Sequence, residues 1–396
     1  MKKENLDKII KLRHELPRIP ELSMREEKTM ERIRRFIEEN TRLEVFPCDG
    51  WFYAVKKGRD DTQPIAFRAD MDALPIEEGN ILPYHSCHPG ISHKCGHDGH
   101  CAALCGLALE LDALETDQTV YLIFQPGEET GQGAKICKGL IREKGISEIF
   151  AFHNLGGYQE NSLVYRRGLT QPASEGLKIT FSGKTSHASA PEEGKNPAGI
   201  IARVVMRAEE LSQRTARGMV ISTVTGICVG SGDFGISPGD GQLCLTLRAE
   251  FEEEMRQLEE DLLAFSADLC AHEGIAMDFI VMDYFPETRN HDGSLMKVLA
   301  AAGSLGLKTI PMQDLWRASE DFGWYLKECS GAMVYIGNGV LYPGLHTEEY
   351  DFNDRILETA VDLFTKIMVS DTKPDSDTVS GTMPDQETCD EGGTNY

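Results

Sequence analysis

The class of fold is indicated by one stretch, Val120-Tyr121-Leu122-Ile123-Phe124-Gln125-Pro126-Gly127-Glu128-Glu129. Its first five residues form a short apolar run that is typical of a strand buried on both faces. A segment with helical Ala and Leu spacing, residues 101–114, precedes it, and another short apolar run follows at residues 149–152. Strands that alternate with helices predict an α/β fold with a mixed or parallel sheet. The two glutamates then lie just beyond the carboxyl end of a strand, where such sheets hold their active sites.

A second unusual stretch precedes the predicted helix. It reads His93-Lys94-Cys95-Gly96-His97-Asp98-Gly99-His100 and brings a thiol, three imidazoles and a carboxylate into consecutive positions. Cysteine and histidine are suitable ligands for zinc and its first-row neighbours, and glycine lets the backbone turn tightly around an ion. Taken alone, the stretch is compatible with a metal or catalytic site, a structural zinc site or a solvated polar loop.

Other polar residues also follow predicted strands. Each one alone is commonly a turn carboxylate or a hydrogen-bonded structural histidine. Together they predict a two-metal hydrolytic site, because such a site needs several anionic or imidazole ligands and a carboxylate that is free to move a proton. They are Asp70 and Asp72 after residues 65–67, His153 after residues 149–152, and His346 after residues 334–336 and a loop rich in Gly and Pro.

A change of pattern after Arg167 predicts a second domain. Its elements follow the order β-α-β-β-α-β, which is typical of a ferredoxin-like unit. We therefore expect a discontinuous catalytic domain, residues 1–170 and 285–369, and an inserted domain, residues 171–284. Residues 370–396 are rich in Asp, Glu, Ser, Thr and Gly, which predicts a disordered acidic tail. The elements of the inserted domain are predicted as strands 177–181, 220–229, 243–251 and 275–284 and helices 197–211 and 253–272.

Composition argues against several classes of partner. The formal net charge of -24 over 396 residues disfavours binding to nucleic acid or to an anionic membrane. We find no apolar run of membrane-spanning length and expect no signal peptide, since the N-terminal residues lack an apolar region. The 11 cysteines are scattered and odd in number, which favours reduced thiols and a cytoplasmic location.

The chain resembles the two-metal N-acyl-amino-acid amidohydrolases, an aminoacylase-like metallopeptidase group that contains hippurate hydrolases and indole-acetyl-amino-acid hydrolases. The resemblance is specific because separate motifs agree in the family's order, over about residues 10–365. It implies a mixed-sheet, zinc-peptidase-like catalytic domain with an inserted ferredoxin-like α+β lid domain. The matching segments are Pro20-Glu21-Leu22-Ser23, Arg68-Ala69-Asp70-Met71-Asp72-Ala73-Leu74-Pro75-Ile76, Cys95-Gly96-His97-Asp98-Gly99-His100, Phe124-Gln125-Pro126-Gly127-Glu128-Glu129, His153-Asn154, Gly183-Lys184 with His187-Ala188 and Pro191, Ser319-Glu320-Asp321-Phe322, and His346 ahead of Asp351-Phe352.

Carried over to this chain, the resemblance implies two divalent ions per subunit, with zinc or manganese favoured and nickel or cobalt as further candidates. It implies that Cys95, as a thiolate, bridges the ions. It also implies that Glu128 is the general base toward a metal-activated hydroxide and then the acid toward the leaving amine. The implied metal ligands are Cys95, His97, Glu129, His153 and His346.

Three further residues have two interpretations each. Asp72 is expected to orient a metal ligand, and its alternative is a capping carboxylate. The resemblance suggests that His187 reaches the substrate carbonyl oxygen from a partner subunit, and the alternative is a surface histidine. Arg248 is a candidate for binding the substrate carboxylate, and the alternative is a solvent-facing arginine on a strand. His100 is left as a helix N-terminal or ligand-orienting residue.

The sequence thus predicts a cytoplasmic metal-dependent amidohydrolase that cleaves N-acyl amino acids or small dipeptide-like amides. Its partner is a small molecule, and we expect a homodimer formed through the inserted domain. One alternative is an amidase with Cys95 as nucleophile, and another is a metal-binding or ligand-binding relative without activity. Two departures from the family pattern, Pro17 in place of a histidine and Gly235 in place of an asparagine, bear on substrate choice. Nothing explains His85, Cys87 and His88, which precede the main cluster.

Overall fold

The computed structural model describes residues 1–214 and 216–369. The segment predicted as an acidic tail, residues 370–396, therefore lies outside the described residues. Within them the chain forms an eight-stranded sheet, a four-stranded sheet and two small two-stranded sheets. The helices of this described part include none that is long and apolar enough to cross a lipid bilayer.

The first part of the chain supplies most of the large sheet. Its helices are α1 (Lys3–Glu15), α2 (Glu27–Asn40), α3 (His97–Ala113), α4 (Gly133–Cys137) and α5 (Gly139–Glu143), with 3-10 turns at Leu16–Arg18 and Glu128–Thr130. Its strands are β1 (Glu44–Pro47), β2 (Phe52–Lys56), β3 (Asp60–Asp70), β4 (Gln118–Gln125), β5 (Glu148–Gly156), β6 (Leu163–Tyr165) and β7 (Leu169–Gln171).

The rest of the chain forms the four-stranded sheet and then returns to the large one. The middle part consists of β8 (Ala173–Ser182), β9 (Ser186–His187), α6 (Ala198–Ser212), β10 (Val220–Val229), β11 (Ile236–Ser237), β12 (Asp240–Ala249), α7 (Glu252–Glu273) and β13 (Ala276–Phe285). The last part consists of β14 (Thr288–Arg289), α8 (Asp292–Ser304), β15 (Thr309–Pro311), α9 (Gly323–Leu326), β16 (Ser330–Gly339) and α10 (Leu357–Val369).

The large sheet is mixed, as the sequence predicted. Its strand order is β1-β2-β4-β3-β5-β16-β6-β15. Strand β3 pairs in parallel with β4 and β5, and β5 pairs in parallel with β16, whereas β2 runs antiparallel to β4. The four central strands therefore end at the same edge of the sheet.

Helices cover both faces of this sheet and bury its apolar residues. One face carries the larger core, to which β3 contributes Phe67 and α10 contributes Phe364. The other face carries a smaller core, where Ala66 of β3 meets Ala134 of α4 and Tyr325 of α9. Burial on both faces explains why the central strands read as unbroken apolar runs in the sequence.

The four-stranded sheet has the order β10-β12-β8-β13 and is antiparallel throughout. Its chain order is β8-α6-β10-β12-α7-β13, which is the predicted β-α-β-β-α-β pattern. Leu243, Leu245 and Leu247 of β12 are buried in the core that α6 and α7 cover. The residues between them are partly exposed on the other face. The domain limits given above stay a prediction.

Three local predictions need correction. Helix α3 begins at His97 and not at residue 101, because Gly96, with φ +97°, turns the chain directly before it. His153 lies inside β5 and not after it, because β16 extends the pairing as far as Gly156. His187 lies on the short strand β9, which pairs with β11, and not on a free loop.

Candidate metal centre

Several chain segments deliver polar side chains to the carboxyl-end edge of the large sheet. Asp70 is the last residue of β3, Glu128 and Glu129 form the turn after β4, and His153 lies near the end of β5. His346 follows β16 after a short loop. Parallel pairing of the four strands brings these distant positions to one place.

All five predicted ligands lie in one cluster. The Cys95 sulfur and one ring nitrogen each of His97 and His153 lie within 4.8 Å of one another. The same sulfur also groups with a carboxylate oxygen of Glu129 and a ring nitrogen of His346, again within 4.8 Å of one another. Cys95 is therefore common to two adjacent groups of ligand atoms.

The shortest contacts in the cluster join ligand atoms to one another. Cys95 Sγ lies 3.4 Å from His153 Nε2, and His346 Nε2 lies 3.4 Å from Glu129 Oε1. His97 Nε2 lies 3.8 Å from the same Glu129 oxygen. His97 Nε2 and Glu129 Oε1 are both buried and have no hydrogen-bond partner. Buried polar atoms are rarely left unpaired, so this pair of atoms fits a bound cation.

The electrostatics of the cluster also fit a cation. Burial raises the pKa of the Cys95 thiol well above its ordinary value, and the Glu129 carboxylate raises it further. Burial lowers the pKa of His97, but the carboxylates of Asp70 and Asp72 outweigh burial and raise that pKa to about 10. The cluster is thus rich in negative charge, and a positive ion would stabilise both the thiolate and the carboxylates.

Glu128 lies beside the ligands without belonging to the groups that contain Cys95. Its side chain is buried, and its Oε2 lies 3.8 Å from His97 Nε2. Burial raises the pKa of Glu128 well above its ordinary value, and the charges of Glu320 and Glu129 raise it further. A carboxyl group in such surroundings readily accepts and holds a proton.

Arg68 anchors the buried carboxylates behind the cluster. Its guanidinium donates hydrogen bonds to Asp70 Oδ2 at 2.7 Å, to Glu320 Oε1 at 2.9 Å and to Asp321 Oδ1 at 2.8 Å. Its Nε donates to Gln125 Oε1 at 2.9 Å. One arginine thus fixes the ends of β3 and β4 and the loop before α9 relative to one another.

Asp72 contacts two of the ligand-bearing residues. Its Oδ1 lies 3.2 Å from His97 Nδ1, while its Oδ2 accepts hydrogen bonds from the Glu129 backbone N–H at 3.0 Å and from Ser23 Oγ at 2.7 Å. Hydrogen bonding to the ring nitrogen opposite the ligating one fixes the orientation of an imidazole. His97 Nδ1 also lies 2.9 Å from the Asp72 carbonyl oxygen, and the orienting role of Asp72 stays a prediction.

His100 lies one helical turn beyond the ligands and is fully engaged. Its Nδ1 lies 2.6 Å from Asp70 Oδ1, and its Nε2 lies 2.7 Å from Asn154 Oδ1. The Asn154 amide in turn donates to the Tyr350 hydroxyl at 2.6 Å. Both ring nitrogens of His100 thus have partners, and Asp70, His97 and His100 form a further group of possible ligand atoms within 4.8 Å of one another.

The loop that carries His346 is held at several points. His346 has a left-handed φ of +61°, and its backbone N–H donates to the Lys94 carbonyl at 2.7 Å. Buried Arg13 donates to both carboxylate oxygens of Asp351, at 2.9 and 3.0 Å, and to Asp354 at 2.6 Å. Backbone strain at an over-determined position is typical of functional sites.

The cluster opens into a cavity of about 760 Å³. Four of the five predicted ligands, all but buried His97, line this cavity. Most of its other lining residues are apolar or small. The volume falls in the range that holds small-molecule ligands. The lining residues are Cys95, Glu128, Glu129, His153, Leu155, Gly156, Gly157, Arg248, Phe285, Trp316, Ala318, Ser319, Val340, Tyr342, Gly344, Leu345 and His346.

Arg248 reaches this cavity from the four-stranded sheet. Its Nη1 donates to the Arg317 carbonyl at 2.6 Å and to Ser319 Oγ at 3.0 Å. Partial burial lowers its pKa, and no carboxylate of the described chain contributes to that shift. A half-buried guanidinium without an acidic partner is suited to an anionic ligand.

Among the predicted site residues, His187 lies on the surface, away from both the cavity and the cluster. Its side chain is exposed, and its Nδ1 contacts Ser189 Oγ at 2.7 Å. Across the described ranges, the cavity lining includes neither His187 nor any residue of β9 or β11. Within one subunit His187 is thus a surface residue, and its role across a dimer stays a prediction.

Sequence reasoning missed several residues that shape the site. Ser23 could have been found, because it belongs to a matched motif. Its hydroxyl donates a hydrogen bond to Asp72. Arg13 and Trp316 carried no signal, because their contacts depend on loops that meet only in the folded chain.

A family model described as peptidase family M20/M25/M40 matches residues 66–370. An N-acetylcysteine deacetylase from Bacillus subtilis is 29% identical over 370 residues, which cover 91% of this chain and 96% of that protein. A hippurate hydrolase from Campylobacter jejuni is 28% identical over 366 residues, which cover 90% of this chain and 94% of that protein.

A solved structure is similar over almost its whole length. It is a dinuclear metal-binding peptidase of the M20 family from Bacillus subtilis, with a TM-score of 0.78 and 26% sequence identity. The match covers 93% of this chain and 98% of that chain. These findings confirm the resemblance and the fold class that the motifs predicted.

Proposed function

The chain belongs to peptidase family M20/M25/M40, whose members hydrolyse amide bonds, and we propose that it is a metal-dependent amidohydrolase of N-acyl amino acids. The observation that carries the proposal is the pair of ligand groups that share Cys95, with Glu128 beside them and Arg248 in the same cavity. This set offers metal ligands, a proton acceptor and a carboxylate-binding cation.

In this proposal Cys95, His97, Glu129, His153 and His346 would hold two divalent ions. A thiolate, imidazoles and a carboxylate suit zinc, and manganese is the second candidate. The chemistry that such ions supply is Lewis-acid activation of water and of the amide carbonyl.

Glu128 moves the proton. Its buried carboxyl group has a raised pKa and lies beside the ligands, so it can take a proton from water and return it to the leaving nitrogen. Asp72 orients two ligand-bearing residues through its contacts with His97 and with the Glu129 backbone. The carboxylate oxygens that would perform these roles, on Glu128 and Asp72, both lie close to the His97 ring.

Arg248 binds the carboxylate of the amino acid. The contacts of its Nη1 with the loop 317–319 fix the guanidinium at the cavity wall. Arginine can bind a carboxylate through two parallel hydrogen bonds, which would place the scissile amide at a defined distance from the ions.

His187 acts in a homodimer. The four-stranded sheet exposes apolar residues on its two edge strands, among them Ile227 on β10 and Phe279 and Ile280 on β13. Exposed edge strands of this kind pair readily with a second copy of a chain. The partner's His187 would then supply a donor to the substrate carbonyl oxygen.

The alternative with Cys95 as nucleophile finds less support. A nucleophilic thiol needs a lowered pKa, whereas burial and nearby carboxylates raise the pKa of Cys95. His153, which lies 3.4 Å away, would be the base of such a dyad, but burial and the charge of His100 lower its pKa.

A reconstitution experiment tests the proposal. Protein stripped with a chelator should lose hydrolysis of N-acetyl and N-benzoyl amino acids and regain it with zinc or manganese. Metal-loaded protein should keep its activity when a thiol-alkylating reagent is added. Activity that survives the chelator but not the alkylating reagent would favour the Cys95 nucleophile and reject the proposal.

A further inference from the structure

We infer that the substrate carries one carboxylate and no other charge, and that an apolar group of the substrate packs against Trp316. This inference rests on the proposed function and narrows its substrate class. It is carried by the residues that line the cavity beyond the metal-ligand cluster.

The first step is the charge of the lining. Besides the metal ligands and Glu128, Arg248 is the one charged side chain among the described residues that line the cavity. The remaining lining side chains are apolar, small or neutral hydroxyl-bearing groups. A second carboxylate or an ammonium group of a substrate would find no partner there, and burying an unpaired charge is costly.

The second step is the rigid position of Trp316. Its ring packs edge-on against His153, with centroids 5.2 Å apart, and against buried Tyr335, with centroids 5.3 Å apart. Its backbone N–H donates to the Thr170 carbonyl at 3.0 Å. The indole is therefore a preformed apolar wall next to a predicted metal ligand. Because its position is already fixed, binding a ligand against it costs little side-chain entropy.

The third step is the further apolar surface of the same cavity. Leu155, Phe285, Tyr342 and Leu345 also line the cavity, and Val340 lines it while 64% of its surface remains exposed. An exposed aliphatic side chain at the mouth of a cavity gains most from a ligand that covers it. Trp316 and these apolar lining residues together favour a substrate with an apolar group larger than acetyl.

Two substrates with side chains of similar length test the inference that the substrate carries no second charge. Nα-Acetyl-norleucine and Nα-acetyl-lysine have side chains of similar length, but only lysine carries a charge at its end. We expect kcat/KM to be about 100-fold lower for the lysine compound, because its ammonium group would be buried without a partner. Nα-Acetyl-glutamate should be disfavoured for the same reason. Equal rates for norleucine and lysine would overturn the inference.

Two variants test the role of Trp316. Trp316→Ala should lower kcat/KM by about tenfold for N-acetyl-norleucine or N-hexanoylglycine, and Trp316→Phe should keep most of it. N-Acetylglycine, which has no large apolar group, should change by less than about twofold. Trp324→Ala is the matched control, because Trp324 packs against lysines outside the cavity lining. An equal loss on all substrates would mean that Trp316 only supports His153, and it would overturn the specificity role.

A binding measurement separates this inference from the proposed function. Metal-loaded Glu128→Gln protein should bind N-acetyl-norleucine more tightly than Nα-acetyl-lysine in a calorimetric titration. If wild-type protein hydrolyses no member of the panel, N-acetylglycine included, the proposed function fails. If it hydrolyses the panel without preference, only the inference about charge and Trp316 fails.

Discussion

The carboxyl-end edge of the large sheet and the middle part of the chain, residues 173–285, differ in how much of a site one chain can build. At the edge of the large sheet, parallel strands end together, and their polar residues meet in a buried cluster. In the middle part, His187 lies exposed on β9, which pairs with β11, and its ring contacts Ser189. A single subunit thus brings the predicted ligands and Glu128 together, whereas the predicted carbonyl donor, His187, lies apart from them.

The two sheets also treat buried carboxylates differently. Behind the metal cluster, Arg68 pairs with Asp70, Glu320 and Asp321. In the four-stranded sheet, buried Glu175 faces Glu259, and the pKa of Glu175 rises to about 8. Arg68 thus compensates part of the buried negative charge at the large sheet, whereas the uncompensated Glu175 of the four-stranded sheet costs stability.

The largest expected effect belongs to Glu128. Glu128→Gln keeps the size of the side chain but cannot accept a proton, so kcat should fall by about 1,000-fold. Metal content, measured by elemental analysis, should stay at the wild-type level. Glu192→Gln, at an exposed glutamate of the 3-10 turn Pro191–Glu193, is the control and should keep full activity. Near wild-type turnover in Glu128→Gln would remove Glu128 from the mechanism.

The next prediction tests whether His187 of one subunit completes the site of another subunit. His187→Ala should lower kcat by about 100-fold, the usual loss for one donor to a carbonyl oxygen in the transition state. Mixing it with inactive Glu128→Gln should restore about a quarter of the wild-type activity, because the mixed dimer has one complete site. No recovery after subunit exchange, verified by tagged chains, would contradict a role across the dimer.

Substitution of Asp72 should have a smaller effect, which is confined to the metal affinity of the cluster. Asp72→Asn keeps the shape but weakens the hydrogen bond to His97, so metal affinity should fall by about 10- to 100-fold. A chelator competition measures this affinity without reference to turnover. Asp117→Asn, at an exposed carboxylate far from the cluster, should leave the affinity unchanged. An unchanged affinity in Asp72→Asn would reduce Asp72 to a capping residue.

Glu175 offers the smallest effect, on stability alone. Its pKa is about 8 in the folded chain, mainly because of burial and then because of the charge of Glu259, against an ordinary value near 4.5. The folded state thus retains a proton that the unfolded state has lost. Stability should therefore fall as the pH rises from about 4.5 to 8 and stay lower above that.

Glu175→Gln removes this cost. The variant should melt about 2 °C higher than wild type near pH 9, with no such gain below pH 4.5. Glu193→Gln, on the surface of the same region, should show no pH-dependent difference. A gain that is equal at both pH values would mean that ionisation of Glu175 is not the cause.

The sequence predicted the parts of this molecule that depend on local pattern. Buried parallel strands read as apolar runs, and turns after them placed Glu128 and Glu129 correctly. The five residues that the resemblance implied as ligands lie together in the fold, and their role as ligands stays a prediction. The start of α3 was missed, because a left-handed Gly96 lets the helix begin within the polar stretch.

What could not be predicted depends on contacts between distant loops. Trp316 lies in the loop before α9, which Arg68 holds through Glu320 and Asp321. Arg248 was a candidate from its strand position, but its neighbours Arg317 and Ser319 come from the same loop. No local pattern in the sequence contains such pairings.

The central claim is that one chain would hold two ions through a set of ligands that includes Cys95. The most direct test is calorimetric titration of metal-free protein with zinc or manganese, for the wild type and for Cys95→Ala. The account predicts about two ions per wild-type chain and a large loss of affinity for both in the variant. Binding of fewer than about one ion per wild-type chain, or unchanged binding in Cys95→Ala, would contradict it.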